Sequence, residues 1–257
     1  MHLKAKQDHL GHKGLVKKIK PERGCIYFVF AHPLAIKKNV RQIEKNLNRC
    51  FLEKNNGKTI EERRAQRLMK ILDRCDALLD LHASNTKNSI PFIICEKNAF
   101  DLARKMNFGI VSSGWDAIEP GAADGYMLQN HKVALCLECG SVHSHRSNVM
   151  LAEKSIYQFL QYFGCIRKQV PYNSRKQRLV KVDRAVHKKT DGFYFAKTFD
   201  DFHVLESEEL IACDGKREYI ATDNQVIIFP NPNKNIGEEV FILGRECAMP
   251  DLPKKAQ

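Results

Sequence analysis

The sequence predicts a layered α/β domain followed by a smaller, mostly β domain. Apolar runs and amphipathic helical stripes alternate as far as residue 166, the pattern of a sheet covered by helices. Beyond a basic stretch at 167–178 the stripes stop, and short β-rich runs separated by turn signals take over. The expected domains are therefore 1–166 and 167–257. Two of the buried runs also end in chemically capable side chains, Asp80-Leu81-His82 and Leu137-Glu138-Cys139-Gly140. In an open α/β sheet, ligands bind outside the carboxyl ends of the strands. A His and a Glu delivered there suggest one metal ligand and one general base over a shared site.

The first 23 residues are polar and basic, with a short helix expected at Gly14–Ile19. Cys25–Ala31 is a continuous apolar, β-rich run and predicts a buried strand. A polar stretch from Pro33 leads to Asn46-Leu47-Asn48-Arg49-Cys50-Phe51, and Asn55-Asn56-Gly57 marks a turn. Thr59 and Glu62 have the spacing of a capping box. Leu68, Ile71, Leu72 and Cys75 then supply one helical face. Strands are expected at Ala77–Leu81, Phe92–Cys95, Gly109–Ser112 and Val133–Leu137, with a helix near Ala99–Met106 and a loop over Gly114–Gly125. Val149, Ala152, Ile156, Leu160 and Phe163 line a long helix. The C-terminal strands are expected at Leu179–Val182, Gly192–Ala196, Glu209–Ile211, Glu218–Ala221, Val226–Phe229 and Glu239–Leu243.

Composition narrows the function classes. With 43% hydrophobic and 28% charged residues the chain is of ordinary globular type. No apolar run approaches the roughly 18 residues of a membrane helix, and the basic N-terminus lacks the apolar core of a signal peptide, so a cytoplasmic protein without a membrane partner is expected. The nine cysteines are widely spaced and mostly within apolar runs, which reads as buried, reduced thiols. Cys136 and Cys139 are three apart on a strand and point to opposite faces, a poor grip for one metal. The net charge of +12 raises nucleic-acid binding, but the Lys and Arg residues are spread along the chain and no recognition motif accompanies them. A basic surface favouring anionic small molecules is the plainer reading.

Taken in order, the motifs resemble the succinylglutamate desuccinylase/aspartoacylase family, zinc hydrolases related to the zinc carboxypeptidases. His32-Pro33-Leu34-Ala35 stands for the family's Asn-Pro-x-Ala, and Arg41 follows. Asn46-Leu47-Asn48-Arg49-Cys50-Phe51 stands for its Asp-Leu-Asn-Arg-x-Phe, with Asn46 replacing the family's Asp. Arg63-Arg64-Ala65, Asp80-Leu81-His82, Leu137-Glu138-Cys139-Gly140 and Gly237-Glu238-Glu239-Val240-Phe241 complete the series over about residues 24–245. The resemblance implies a zinc-carboxypeptidase-like mixed sheet flanked by helices, and hydrolysis of a small anionic N-acyl amino acid. It implies Zn2+ as cofactor, with His82 as one ligand. Glu138 would be the general base and Arg41 the stabiliser of the oxyanion. Asn48 and Arg49 would hold the substrate carboxylate.

One part of the family pattern has no counterpart. The first zinc motif, His-Gly-Asn-Glu or a close variant, and the strand before it should fall near residues 3–8, where the sequence is Leu3-Lys4-Ala5-Lys6-Gln7-Asp8. With Gly11 aligned to the small residue after the motif, Asp8 takes the place of the Glu ligand and Ala5 that of the His. His9 and His12 form an alternative His-x-x-His pair. Three explanations stand side by side: the sequence lacks its first strand, or metal binds through Asp8, His9 or His12, or the chain is a degenerate member that binds a carboxylate ligand without zinc. A basic nucleic-acid-binding protein is the third-ranked function.

Overall fold

The computed structural model describes residues 17–84, 89–143 and 145–250. Asp8, His9 and His12 lie outside them. Of the expected helix at 14–19, Lys17 and Lys18 are helical and Ile19 is not; the rest of the span lies outside the described residues.

Strands β1 (Ala77–Ser84), β2 (Phe92–Ile94), β3 (Ile110–Ser113) and β4 (Val133–Ser141) join β5 (Arg178–His187), β7 (His203–Val204), β10 (Gln225–Ile228) and β11 (Glu239–Cys247) in one eight-stranded sheet. Its order is β1-β4-β2-β3-β5-β11-β10-β7. The pairs β1/β4, β2/β3 and β3/β5 are parallel, and the rest are antiparallel. Strands β6 (Phe193–Phe195), β8 (Leu210–Asp214) and β9 (Arg217–Ile220) form a second, small sheet. The N-terminal and C-terminal halves thus share a sheet, joined where Ile110–Ser113 pairs with Arg178–Lys181.

The alternation of side chains along β1 and β4 explains where the helices sit. Leu135, Leu137 and Cys139 face one side and pack with Ala152 of the long helix α6 (His145–Tyr162), and Leu79 and Leu81 of β1 join them. Ala134 and Leu78 face the other side, against α2 (Ile60–Leu72) and α5 (Ala123–Gln129), through Leu68, Leu72 and Met127. On this second face the residues toward the strand ends are polar, and the site is there. The remaining helices are short: α1 (Pro33–Lys38), α3 (Phe100–Lys105) and α4 (Trp115–Ile118). No helix among the described residues is long and apolar enough to cross a membrane.

Two expectations fail. Cys25–Ala31 belongs to neither sheet, and Tyr27, Phe28 and Val29 are about 40% exposed. An apolar, β-rich run favours a strand, but a strand needs a neighbouring ladder. Here the Arg64 guanidinium, and not a strand, binds the carbonyls of Phe30 and Ala31, at 2.8 and 2.6 Å. The Gly114–Gly125 region is not a plain loop, since α4 and the start of α5 lie within it. The glycines there mark the breaks between helices: Gly114 and Gly121 both have positive φ.

Candidate functional site

The parallel register of β1 on β4 sets Asp80 beside Cys136 and His82 beside Glu138. Because alternate residues share a face, all four project from the same side of the sheet, at the strands' carboxyl ends. They form the floor of a cleft of about 270 Å³. Its walls come from the 3-10 turn Leu47–Arg49, the α4–α5 segment and the C-terminal half. Arg41, Asn48, Arg49, His82 and Glu138, five residues singled out in the sequence, all line this one cleft.

His82 is the centre of the polar contacts. Its Nε2 is 2.9 Å from Asp80 Oδ2 and 3.4 Å from Asn48 Nδ2, and its Nδ1 is 4.0 Å from Glu138 Oε1. Burial disfavours an imidazolium there, but the Asp80 carboxylate more than offsets it and raises the His82 pKa. The same pairing outweighs the burial of Asp80 and holds that carboxyl at about 2. Glu138 behaves differently. Burial raises its pKa, and His82 and Arg41 only partly draw it back. Its Oε2 is buried and has no hydrogen-bond partner among the described residues. A carboxylate so placed retains an acceptor that those residues do not use, which suits proton transfer.

The cationic wall is held by local chemistry. Asn46 caps the 3-10 turn, its Oδ1 accepting from the Asn48 amide at 3.1 Å, so the Asn that replaces Asp keeps the capping contact. Asn48 then turns its side chain to His82. Arg49 donates to its neighbour's carbonyl, Asn48 O, at 2.7 Å, and pairs with Glu119. Gly121 lies against the Arg49 backbone: at φ +94° its Cα hydrogen points where a Cβ would come within 2.9 Å of Arg49 C. Arg41 is exposed at the rim.

Several acidic residues of the cleft were not singled out in the sequence. Glu119 pairs with Arg49, and Glu239 sits beside it, pushed up to about 7 by burial and by the Glu119 charge. Asp124 is pushed up to about 7 by burial, then by Asp80 and Asp116. Burial also raises Asp116. Asp116, Glu119 and Asp124 lie in no motif and at the end of no apolar run; Glu239, from the C-terminal half, lies in the Gly237–Phe241 motif, to which no site role was attached. The one sequence signal is the Gly-rich context around Glu119 and Asp124. His143 is exposed just past β4, its amide donating to Ser141 Oγ at 3.3 Å. Cys136 lines the cleft while Cys139 lies in the opposite core, as the strand period requires.

No group of three His, Cys, Asp or Glu side chains among the described residues is placed to hold a metal ion. Catalytic zinc normally uses three protein ligands, and the described residues offer His82 as the imidazole. They do not by themselves make a zinc site.

Comparison with known proteins decides the family. The model of the succinylglutamate desuccinylase/aspartoacylase catalytic domain matches residues 9–162, and that of the AstE/AspA barrel-sandwich hybrid domain matches 177–246. The chain belongs to the succinylglutamate desuccinylase/aspartoacylase family. Within the family, the curated succinylglutamate desuccinylase of Vibrio cholerae is 26% identical over 249 residues, covering 89% of this chain and 72% of its own. The crystal structure of succinylglutamate desuccinylase from Vibrio cholerae aligns with TM-score 0.70 at 22% identity, over 85% of this chain and 70% of that one. The product-bound ectoine utilization protein EutE (DoeB) from Ruegeria pomeroyi aligns with TM-score 0.63 at 20% identity, over 82% and 71%. The family's large mixed sheet with a C-terminal β-rich hybrid domain is the fold described above.

Proposed function

We propose that the chain is a hydrolase of the amide bond of a small anionic N-acyl amino acid. The observation that carries the reading is the meeting of Glu138, whose buried Oε2 has no partner among the described residues, with Arg41, Asn48 and Arg49 in one cleft around His82. In this reading Glu138 takes the proton of the attacking water and returns it to the leaving amine. Arg41, permanently charged and at the rim, meets the developing oxyanion. Asn48 and the Arg49 fork hold the substrate carboxylate. Glu119 holds that fork in the ligand-free cleft, so a substrate carboxylate enters by sharing or replacing Glu119.

Zn2+ belongs to the reading through the family resemblance, with His82 as one ligand. The candidates Asp8, His9 and His12 lie outside the described residues. No step above depends on the ion. A second reading is a family member that binds a carboxylate ligand through Arg41, Asn48 and Arg49 in the same cleft without zinc.

Metal analysis together with a panel of N-acetyl and N-succinyl amino acids separates the two. The enzyme reading expects about one zinc per chain, loss of turnover in chelator, and loss of zinc in His82→Ala. Zinc-free protein that binds but never cleaves the panel establishes the second reading instead.

A further inference from the structure

Glu61 is the most completely buried carboxylate outside the cleft, with no exposure at all. An unsatisfied buried carboxylate costs several kcal/mol. The cap of its own helix, α2, is already made by Thr59 and Glu62. The Glu61 carboxylate instead reaches across to a different segment. Its Oε1 accepts from the Ile43 amide at 2.6 Å and the Glu44 amide at 3.2 Å. Its Oε2 accepts from the Lys45 amide at 3.2 Å and from Glu44 at 3.3 Å. Oε1 also meets His32 Nε2 at 2.9 Å. Four donors thus converge on one anion, which holds its pKa down at about 2 despite burial.

The positions of those donors are informative. Ile43, Glu44 and Lys45 lie between Arg41 on one side and Asn46, Asn48 and Arg49 on the other. His32 begins the same arm: its Nδ1 accepts from the Ala35 amide as the cap of α1, at 3.4 Å. From α1 the chain turns through Asn39, at φ 55°, toward Arg41. Two return contacts close the tie, as Glu44 accepts from the Ile60 amide and Lys45 Nζ binds Glu62 at 3.1 Å. Residues 32–45 are therefore fastened at both ends to one point.

We propose that Glu61 is a positioning residue which, through the amides of Ile43, Glu44 and Lys45, fixes the arm that carries Arg41, Asn48 and Arg49 into the cleft. The ligand-binding part rests on the function proposed above; the mechanical part does not. Ionised Glu has acceptor sites for all four donors, whereas Gln has one acceptor oxygen and would face a backbone N–H with its own NH2.

The test has two readouts on the full chain. In Glu61→Gln, hydrogen exchange at the amides of residues 43–45 and at Asn48 should accelerate at least tenfold, with the amides in the middle of α2 unchanged. His32→Asn, which keeps a helix-capping side chain and removes only one donor, should give a smaller change in the same direction. Binding of N-acetyl-L-glutamate by calorimetry should weaken at least tenfold in Glu61→Gln, and adding Arg49→Ala should then cost less than Arg49→Ala alone costs the wild type. Unchanged exchange over 43–48 in folded Glu61→Gln overturns the proposal. So does accelerated exchange with unaltered affinity and additive Arg49→Ala, which makes Glu61 a purely structural anchor. Wild-type protein that binds no N-acyl amino acid overturns the proposed function, and the exchange arm still decides whether Glu61 fixes the arm.

Discussion

At the scale of single residues, the cleft assigns different chemistry to two neighbouring carboxyls. Asp80 is bound to His82 and stays ionised; Glu138 is buried, with one oxygen unpartnered among the described residues and its pKa raised. Glu138→Gln should therefore lower turnover by about 10²–10⁴ or more, the usual contribution of a general base, with zinc content and melting temperature retained. Measurable turnover near the wild-type rate removes Glu138 from the chemistry. Arg49→Ala should act mainly on KM, raising it about 10- to 100-fold, as expected for losing one charge-assisted hydrogen-bond pair to a ground-state carboxylate. A fall confined to kcat contradicts that role. His82 and Glu138 could be read from the sequence because each ends an apolar run, where a polar side chain has a position fixed by the strand period. Glu119 and Asp124 could not, since they reach the cleft from turns; Glu239 lay in a motif, but its arrival at the cleft from a distant strand is not encoded locally.

At the scale of elements, α2 was legible down to its capping box because Thr59, Glu62 and the Leu68–Cys75 stripe are all local signals. The role of Glu61 on its first turn was not, since its partners lie 16 to 29 residues away. The Cys25–Ala31 run shows the same boundary: its β propensity is local information, whereas strand formation and burial depend on what lies alongside. The Glu61 anchor predicts a pH dependence. Its pKa is depressed from 4.5 to about 2, so its stabilisation is fully present above pH 4.5 and is lost as pH falls toward 2. The stability of Glu61→Gln should accordingly fall less steeply with pH in that window than that of wild type, and equal slopes refute the assignment. Gly121→Ala tests the turn beneath Arg49. With φ +94° and backbone only 2.9 Å from the new Cβ, it should cost at least about 1 kcal/mol in a urea titration and weaken ligand binding as well. Full stability in that variant shows that the turn can relax.

For the whole molecule, the expected boundary near residue 166 falls between segments that the structure joins edge to edge. β3 pairs in parallel with β5, and β5 continues through β11 and β10 to β7, so a single sheet runs from the site into the C-terminal half. Composition and periodicity revealed both kinds of half but not the pairing between them, which is non-local. Heating should give one calorimetric transition with equal calorimetric and van't Hoff enthalpies. Two separable transitions would mean that the shared sheet does not couple the halves.

The pairing of β1 with β4 also has a consequence in time. Asp80 and His82 meet Cys136 and Glu138 only across a parallel ladder, with Phe92–Ile94 and Ile110–Ser113 threaded between them in the chain. Parallel pairing over such separations must close a long loop before any contact rewards it, and chains dominated by such pairings fold slowly. The helices can form early from local sequence, but neither half of the His82–Glu138 pair has its partner until the ladder closes. During refolding, ligand binding should thus return with the slowest phase, well after helical signal. A newly made chain would carry its full helical content for some time before it carries a site.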